Sequence, residues 1–144
     1  MIYRSIRDLV GGRALHHVGP DTPIVEACRR LEAENIGALG VCDGEALVGI
    51  VSERDVIGLI ARQGGGPGDR PVREIMTPDP VTIDIDASLA DAQDRMKRGG
   101  FRHLPVTENG RVVSMISFRD IPTEYRLMHE RFAEYREGEA LAVS

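Results

Sequence analysis

One motif occurs twice in the sequence, and this internal repeat constrains the fold more than any other feature. An apolar run followed by Ser-x-Arg-Asp occupies residues 49–55 and again residues 114–120, sixty-five positions later. The alignment extends upstream without a gap, so that residues 24–55 match residues 89–120. A repeat of this kind predicts a duplicated supersecondary unit, in which each copy buries its apolar face against the other.

Each copy predicts the same order of local elements. Lead-in turns are predicted at residues 1–11 and 71–76, and short first strands at residues 14–18 and 81–85. A helix follows in each copy, with apolar residues recurring at the spacing of one helix face. The first helix is predicted to begin with Thr22 as N-cap and Pro23 at the first helical position, and the second with Ser88 as N-cap.

A hairpin completes each copy. The first has predicted strands at residues 39–42 and 46–51, and the second has them at residues 104–107 and 111–116. Each hairpin contains an Asp-Gly or Asn-Gly dipeptide, which favours a tight turn. Because the dipeptide is shifted by one position between the copies, the two loops need not be identical. Residues 47–51 are apolar without alternation, which predicts a strand covered on both faces.

Composition excludes several classes of protein. Apolar residues make up 42% of the 144 residues, enough for one shared core, and the net charge of −5 is spread evenly along the chain. No basic face suited to a phosphate backbone is evident, so nucleic acid is not an expected partner. Cys28 and Cys42 are too few for a disulfide framework and are expected to be buried free thiols in a reducing cytoplasm. No apolar span long enough for a membrane helix exists, so the chain is expected to be soluble.

With both copies in view, the chain resembles the cystathionine-β-synthase (CBS) domain. The signature of that domain is a small residue, apolar residues and then Ser or Thr-x-x-Asp, closing a β-α-β-β-α unit. The resemblance implies an α/β fold in which two CBS repeats pack about a pseudo-two-fold axis as a CBS pair. The expected organisation is a first repeat at residues 1–63, a glycine-rich linker at 64–70, a second repeat with an extended C-terminal helix at 71–136, and a tail at 137–144.

Each Ser-x-x-Asp motif supports two interpretations. It is close to a capping box, which any helix start can use. It also suits a ligand, because the carboxylate can accept both hydroxyl protons of a ribose while the serine and the helix N-terminus favour a phosphate. CBS pairs typically bind adenosine derivatives through this Asp in the clefts between repeats, so the resemblance favours a ligand. The candidate binding residues of the two motifs are Ser52, Arg54, Asp55, Ser117, Arg119 and Asp120.

The two repeats differ in front of their central strands. The second has Arg102 and His103 where the first has the uncharged Gly37 and Ala38. A planar guanidinium suits oxyanions, and basic residues at this place contact phosphate in nucleotide-sensing relatives, although an exposed loop charge is the simpler interpretation. A phosphorylated adenosine ligand is therefore expected to depend on Asp120 for its ribose and on Arg102 for its phosphate.

Two features depart from the family pattern. Ser114 stands where the first repeat has Gly49, a glycine expected to give a ligand close access to the backbone. Pro122 follows the second motif directly and constrains the start of the last helix. Both features leave the use of the second motif open.

No catalytic constellation is found, and an enzyme is not expected. His16 and His17 are adjacent on a predicted strand and point to opposite faces, which argues against a metal site. The expected function is a regulatory module that binds an adenosine nucleotide (AMP, ADP or ATP, or NAD or S-adenosylmethionine), requires no cofactor and modulates a partner protein. The alternative is a ligand-free structural scaffold for dimerisation or interaction.

A homodimer is predicted, in which four repeats form a flat disc as the family often does. An apolar stripe at Tyr125, Met128, Phe132 and Tyr135 lies on an otherwise charged helix, where it packs on its own core or on a second subunit.

Light scattering should give twice the chain mass of 15.8 kDa. Phe132→Glu should shift the distribution toward monomer by burying an unpaired charge. A monomeric mass for the unaltered chain at micromolar concentration would refute the dimer.

Overall fold

The computed structural model describes residues 5–122 together with Leu127 and Arg131, and it has a mixed α/β fold built from two similar units. The helices are α1 (Ile6–Val10), α2 (Ile24–Glu34), α3 (Glu53–Gln63) and α4 (Leu89–Gly99), with short 3-10 helices at Val72–Glu74 and Phe118–Asp120. The strands are β1 (His17–Val18), β2 (Ala38–Asp43), β3 (Ala46–Ser52), β4 (Thr77–Pro78), β5 (Ile83–Asp84), β6 (His103–Glu108) and β7 (Arg111–Ser117). The predicted α/β architecture with two repeats is confirmed.

The strands form one sheet in each unit. The first has the order β1-β2-β3-β4, and the second has the order β5-β6-β7. In both sheets the short first strand runs parallel to its neighbour, while the hairpin is antiparallel. Strands β3 and β7 contact each other, so the two sheets meet along their hairpins. Strand β4 was not predicted from the sequence, and it extends only the first sheet.

Both hairpins close with a loop of two residues, but the loops differ in conformation. In the first loop Gly44 has a φ of 61°, and in the second Asn109 and Gly110 have φ values of 53° and 78°. Two consecutive residues with positive φ form the turn that Asn-Gly favours, because its twist matches that of the strands. The one-position shift of the dipeptide therefore gives loops that differ in conformation.

The helix starts follow one of the two capping predictions. Ser88 caps α4, its Oγ accepting a hydrogen bond from the backbone N–H of Asp91 at 3.0 Å. The prediction for Thr22 is wrong, because Pro23 is the N-cap of α2 and no side chain caps that helix. Thr22 Oγ1 instead accepts from the backbone N–H of Gly19 at 3.1 Å, which stabilises the turn before the helix.

Each lead-in packs into the core of the other repeat. Ile6, Leu9 and Val10 of α1 belong to the apolar cluster of the second repeat, whose centre is formed by residues such as Ile83, Leu104 and Ile116. In the opposite direction, Val72 is fully buried in the cluster of the first repeat. The two cores are therefore interlocked, and neither is complete without a segment from the other half of the chain.

The linker at residues 64–70 is exposed to solvent apart from partly buried Pro67. Its ends are held by Gln63, whose Nε2 donates to the carbonyl of Gly65 and whose Oε1 accepts from Arg70 at 2.7 Å. These contacts bring the chain from α3 to the 3-10 helix that enters the first core.

The cysteines are less buried than predicted. Cys28 and Cys42 are free, but each is only half-buried, at the edge of the first repeat. Partial burial raises the pKa of both thiols, because the thiolate is poorly solvated there.

Where the first repeat begins α3, the second has the 3-10 helix Phe118–Asp120. The 3-10 helix ends at Asp120, and Ile121 is extended with φ of −73° and ψ of 124°. Proline at position 122 disfavours helical geometry in the residue before it, which explains the break. The predicted stripe of Tyr125, Met128, Phe132 and Tyr135 lies outside the described residues. Among those described, no helix is long and apolar enough to cross a membrane.

The interlocked cores predict that damage to the first lead-in destabilises the whole chain. Ile6 is fully buried, and Ile6→Ala should lower the free energy of unfolding by about 2–5 kcal/mol. Ile57, which is 66% exposed on α3, offers a matched control, since Ile57→Ala should change it by less than about 0.5 kcal/mol. Urea titrations of the unaltered chain and the two variants measure this difference. Equal effects of the two substitutions would contradict the packing of α1.

Candidate functional site

A cavity of about 460 Å³ lies where the two repeats meet. The second repeat contributes the start of β6, the end of β7 and the 3-10 helix Phe118–Asp120. The first repeat contributes Arg13, Ala14, His16, residues 35–38 and Glu53. Sites for small organic molecules commonly have volumes of about 300–1,000 Å³, so the cavity is large enough for such a ligand.

Asp120 lies at one side of the cavity and is held by the backbone. Its Oδ2 accepts a hydrogen bond from the N–H of Ser117 at 2.7 Å, and Arg13 Nη2 is 3.5 Å from the same oxygen. The side chain is 28% exposed. Because both contacts are made by Oδ2, Oδ1 can accept a hydrogen bond from a ligand hydroxyl.

Three arginines give the cavity its positive charge. Arg102 lies with its Cζ 5.4 Å from the centroid of the Phe118 ring, a cation–π arrangement that restrains the guanidinium. Arg119 is exposed on the 3-10 helix, and Arg13 reaches in from the first lead-in. These three groups outnumber the carboxylates of Asp120 and Glu53 in the lining, so the cavity attracts an anion.

His103 faces the first repeat across the cavity. A Cβ placed on Gly37 would lie 3.1 Å from His103 Nε2 and 2.9 Å from Glu53 Oε1, so both side chains approach a backbone position where only glycine fits easily. Burial lowers the pKa of His103 below its ordinary value of 6.5, although Glu53 and Asp120 act in the opposite direction. The imidazole is therefore neutral near pH 7 and can donate or accept one hydrogen bond.

Ser52, Arg54 and Asp55 of the first motif lie outside this cavity, although Glu53 between them lines it. Ser52 donates to Asp55 Oδ2 through its backbone N–H at 2.8 Å and through its hydroxyl at 3.0 Å. The N–H of Asp55 donates back to Ser52 Oγ at 3.4 Å, which completes a capping box for α3. Arg54 is exposed on that helix. Of the eight candidate residues, the cavity thus brings together the five from the second repeat, namely Arg102, His103, Ser117, Arg119 and Asp120.

The interpretation of Gly49 as a point of ligand access is wrong. Gly49 pairs with Pro78 of β4, and a Cβ on it would lie 2.5 Å from Met76 Sδ. The space at this glycine is therefore occupied by the protein itself. Its counterpart Ser114 lines the cavity of the second motif and is 1% exposed, and its Oγ has no hydrogen-bond partner in the part of the chain that the structure describes.

Sequence reasoning missed the residues that the first repeat contributes to the cavity. Arg13 was not considered, because nothing in the sequence shows that the first lead-in crosses to the second repeat. His16 was considered only as a metal ligand; it lines the cavity, whereas His17 lies in β1 and lines a smaller cavity of about 330 Å³. Across residues 5–122, no three His, Cys, Asp or Glu side chains form a group suited to a metal ion.

Two segments of the chain match one known protein family. The CBS domain matches it twice, at residues 6–62 and 72–124. The chain belongs to the CBS-domain family. Each match contains one Ser-x-x-Asp motif, so the resemblance inferred from the duplicated sequence is confirmed.

Solved structures of CBS proteins are similar over most of the chain. The CBS-domain protein ATU1752 from Agrobacterium tumefaciens is 37% identical with a TM-score of 0.76, over 81% of this chain and 94% of that one. PAE2072 from Pyrobaculum aerophilum, in complex with AMP, is 25% identical with a TM-score of 0.76, over 89% and 97%. The CBS pair of MJ0100, in complex with 5′-methylthioadenosine and S-adenosyl-L-methionine, is 25% identical with a TM-score of 0.71, over 88% and 97%.

Several curated relatives from Arabidopsis thaliana are longer proteins. The CBS domain-containing protein CBSCBSPB2 of Arabidopsis thaliana is 32% identical over 142 residues, which is 98% of this chain but 26% of the relative. The chain thus spans about a quarter of the length of these relatives.

The lowered pKa of His103 predicts a specific pH dependence of stability. As the pH falls below about 6.5, the unfolded state takes up a proton at this residue before the folded state does, so His103 contributes a progressive loss of stability on acidification. His103→Gln removes this contribution, and the variant should lose less stability than the unaltered chain between about pH 7.5 and 5.5. Urea titrations at both pH values test this. Exposed His17 supplies the control, and a His17→Gln variant with the same benefit would contradict the assignment to His103.

Proposed function

We propose that the cavity binds an adenosine nucleotide and that the chain is a regulatory CBS pair. The observation that carries this proposal is the convergence of Asp120, Ser117 and three arginines in one cleft between the repeats. A carboxylate held by the backbone suits a ribose diol, and guanidinium groups suit a phosphate.

The chemistry of the lining suggests how such a ligand is oriented. The ribose hydroxyls donate to Asp120 Oδ1, while the phosphate lies toward Arg102 and Arg119. Ile36 and Met115, which also line the cavity, provide apolar surface for the base. Polar and charged residues make up most of the rest of the lining, which suits a ligand with a charged end.

The liganded relatives support the nucleoside part of this proposal most strongly. AMP, 5′-methylthioadenosine and S-adenosyl-L-methionine, which are present in similar CBS pairs, share the adenosine group and differ in what is attached to its 5′ carbon. The excess of arginines in this cavity favours a ligand with negative charge at that end.

Regulation follows from the position of the cleft. A ligand that contacts both repeats stabilises one arrangement of them, and we infer that this arrangement changes the affinity for a partner protein. We also infer a homodimer and, from the free thiols of Cys28 and Cys42, a reducing cytoplasm. Catalysis is not part of the proposal, since the cavity residues are explained by binding alone.

The second candidate function is a ligand-free scaffold. The observation that favours it is that Asp55 and Asp120 both accept a hydrogen bond from the backbone N–H of the serine three residues earlier. A helix cap explains the motif without any ligand. In this view the repeat would be maintained for stability and subunit contacts only.

Titration calorimetry with adenosine, AMP, ATP and S-adenosylmethionine separates the two functions. Asp120→Asn keeps an acceptor for the Ser117 N–H but loses the charge, and it should weaken AMP binding by at least about 1.5 kcal/mol, or more than tenfold. Asp55→Asn is the matched control in the first repeat, outside the cavity, and should bind as the unaltered chain does.

The phosphate is tested by a second pair of variants. Arg102→Ala should weaken AMP and ATP more than adenosine, whereas Arg54→Ala, on exposed helix surface, should weaken none of them. If Asp55→Asn abolishes binding while Asp120→Asn does not, the wrong motif has been chosen. If the unaltered chain binds none of these compounds at millimolar concentration, the scaffold is favoured.

A further inference from the structure

The two lead-ins end differently, although they correspond in sequence. The second lead-in continues from the 3-10 helix Val72–Glu74 into β4, which pairs with the edge of β3. The pairing is extended by the N–H of Asp79, which donates to the carbonyl of Val48 at 3.2 Å. In the first repeat, the backbone of the second lead-in therefore covers the edge of β3, the strand that precedes the Ser-x-x-Asp motif.

The first lead-in makes no such pairing. Gly11 and Gly12 correspond to Thr77 and Pro78, but they form no strand, and a Cβ on either would meet nothing within 4 Å. The N–H of Arg13, which corresponds to that of Asp79, donates back to the carbonyl of Val10 at 2.9 Å. The chain therefore turns away from β7 at the point where its counterpart joins β3.

One sequence difference lies on the strands themselves, at the point where the lead-in would pair. A Cβ on Gly49 would lie 2.5 Å from Met76 Sδ and 3.0 Å from the carbonyl oxygen of Thr77, so the absence of a side chain at this position lets β4 pack closely against β3. Ser114, the counterpart of Gly49 on β7, carries both a Cβ and a hydroxyl. The same approach of backbone to β7 is therefore sterically blocked.

The gap left by the missing pairing is part of the cavity. Arg13 and Ala14 of the lead-in line it on one side, and Ser114 and Met115 of β7 line it on the other. In the first repeat the corresponding segments are joined by hydrogen bonds.

We propose that Ser114 keeps the cleft of the second repeat open, by preventing the first lead-in from pairing with β7, and that Gly49 lets β4 close the corresponding cleft of the first repeat. Ser114 is thus a positioning residue that determines which of two duplicated clefts accepts a ligand. The binding part of the proposal rests on the proposed nucleotide site, whereas the pairing part is independent of it.

Two substitutions at one position test the proposal. Ser114→Gly removes the Cβ and should allow Gly11 and Gly12 to pair with β7. If about nine molecules in ten adopt this paired form, the AMP affinity should fall about tenfold. Ser114→Ala keeps the Cβ, so Gly11 and Gly12 should stay unpaired and the AMP affinity should exceed that of Ser114→Gly. Nuclear Overhauser contacts between the backbone protons of Gly12 and residue 114 should appear in Ser114→Gly alone.

Each other outcome has a defined meaning. Unchanged AMP affinity and no new backbone contacts in Ser114→Gly would overturn the proposal. An equal loss in Ser114→Ala and Ser114→Gly would also overturn it, because the hydroxyl and not the Cβ would then be what matters. If the unaltered chain binds no adenosine compound, the proposed function fails, while the Overhauser contacts still decide whether Ser114 prevents the pairing.

Discussion

The exchange of lead-ins between the two cores is the interaction on which the rest of the structure depends. Because Ile6 and its neighbours on α1 are buried against the second repeat, the chain must cross from one repeat to the other before β1 begins. This crossing brings Arg13 to within 3.5 Å of Asp120, a residue more than a hundred positions away. The cavity is therefore a product of how the repeats are joined, and a single repeat in isolation would lack one of its walls.

The sequence predicts most of the fold. Of the candidate cavity it predicts the residues from the second repeat but not those from the first. Periodicity, turn dipeptides and the Ser88 cap are local signals, and they placed the helix, hairpin and motif of each copy correctly. Arg102 and Asp120, which line the cavity, could be chosen as candidates because Arg102 differs between the copies and Asp120 belongs to a motif that is repeated. Arg13 and strand β4 could not be found this way, since both depend on where the lead-ins go, which is a long-range packing outcome. Thr22 illustrates a local signal overridden by a competing local contact, its bond to the N–H of Gly19.

Duplicated sequence has not produced duplicated chemistry. Glu53 begins α3 and places a carboxylate in the lining, whereas its counterpart Phe118 supplies an aromatic face for Arg102. The neutral backbone at Gly37 makes room for His103 of the other repeat. Arg102 and His103 of the second repeat thus share the cavity with their uncharged counterparts in the first, Gly37 and Ala38. A symmetric pair with an arginine at both positions 37 and 102 would put two positive charges in the same cavity.

The exposed linker has a consequence for how the chain withstands cleavage. Residues 64–70 carry no part of either core, but α1 in the half before them is buried in the second repeat, and Val72 just after them is buried in the first. A protease that cut the glycine-rich stretch would yield two fragments that each retain a piece of the other's interior. Such fragments hold together by complementation, as in a split protein, so the covalent connection matters for finding the partner half during folding more than for keeping it afterwards.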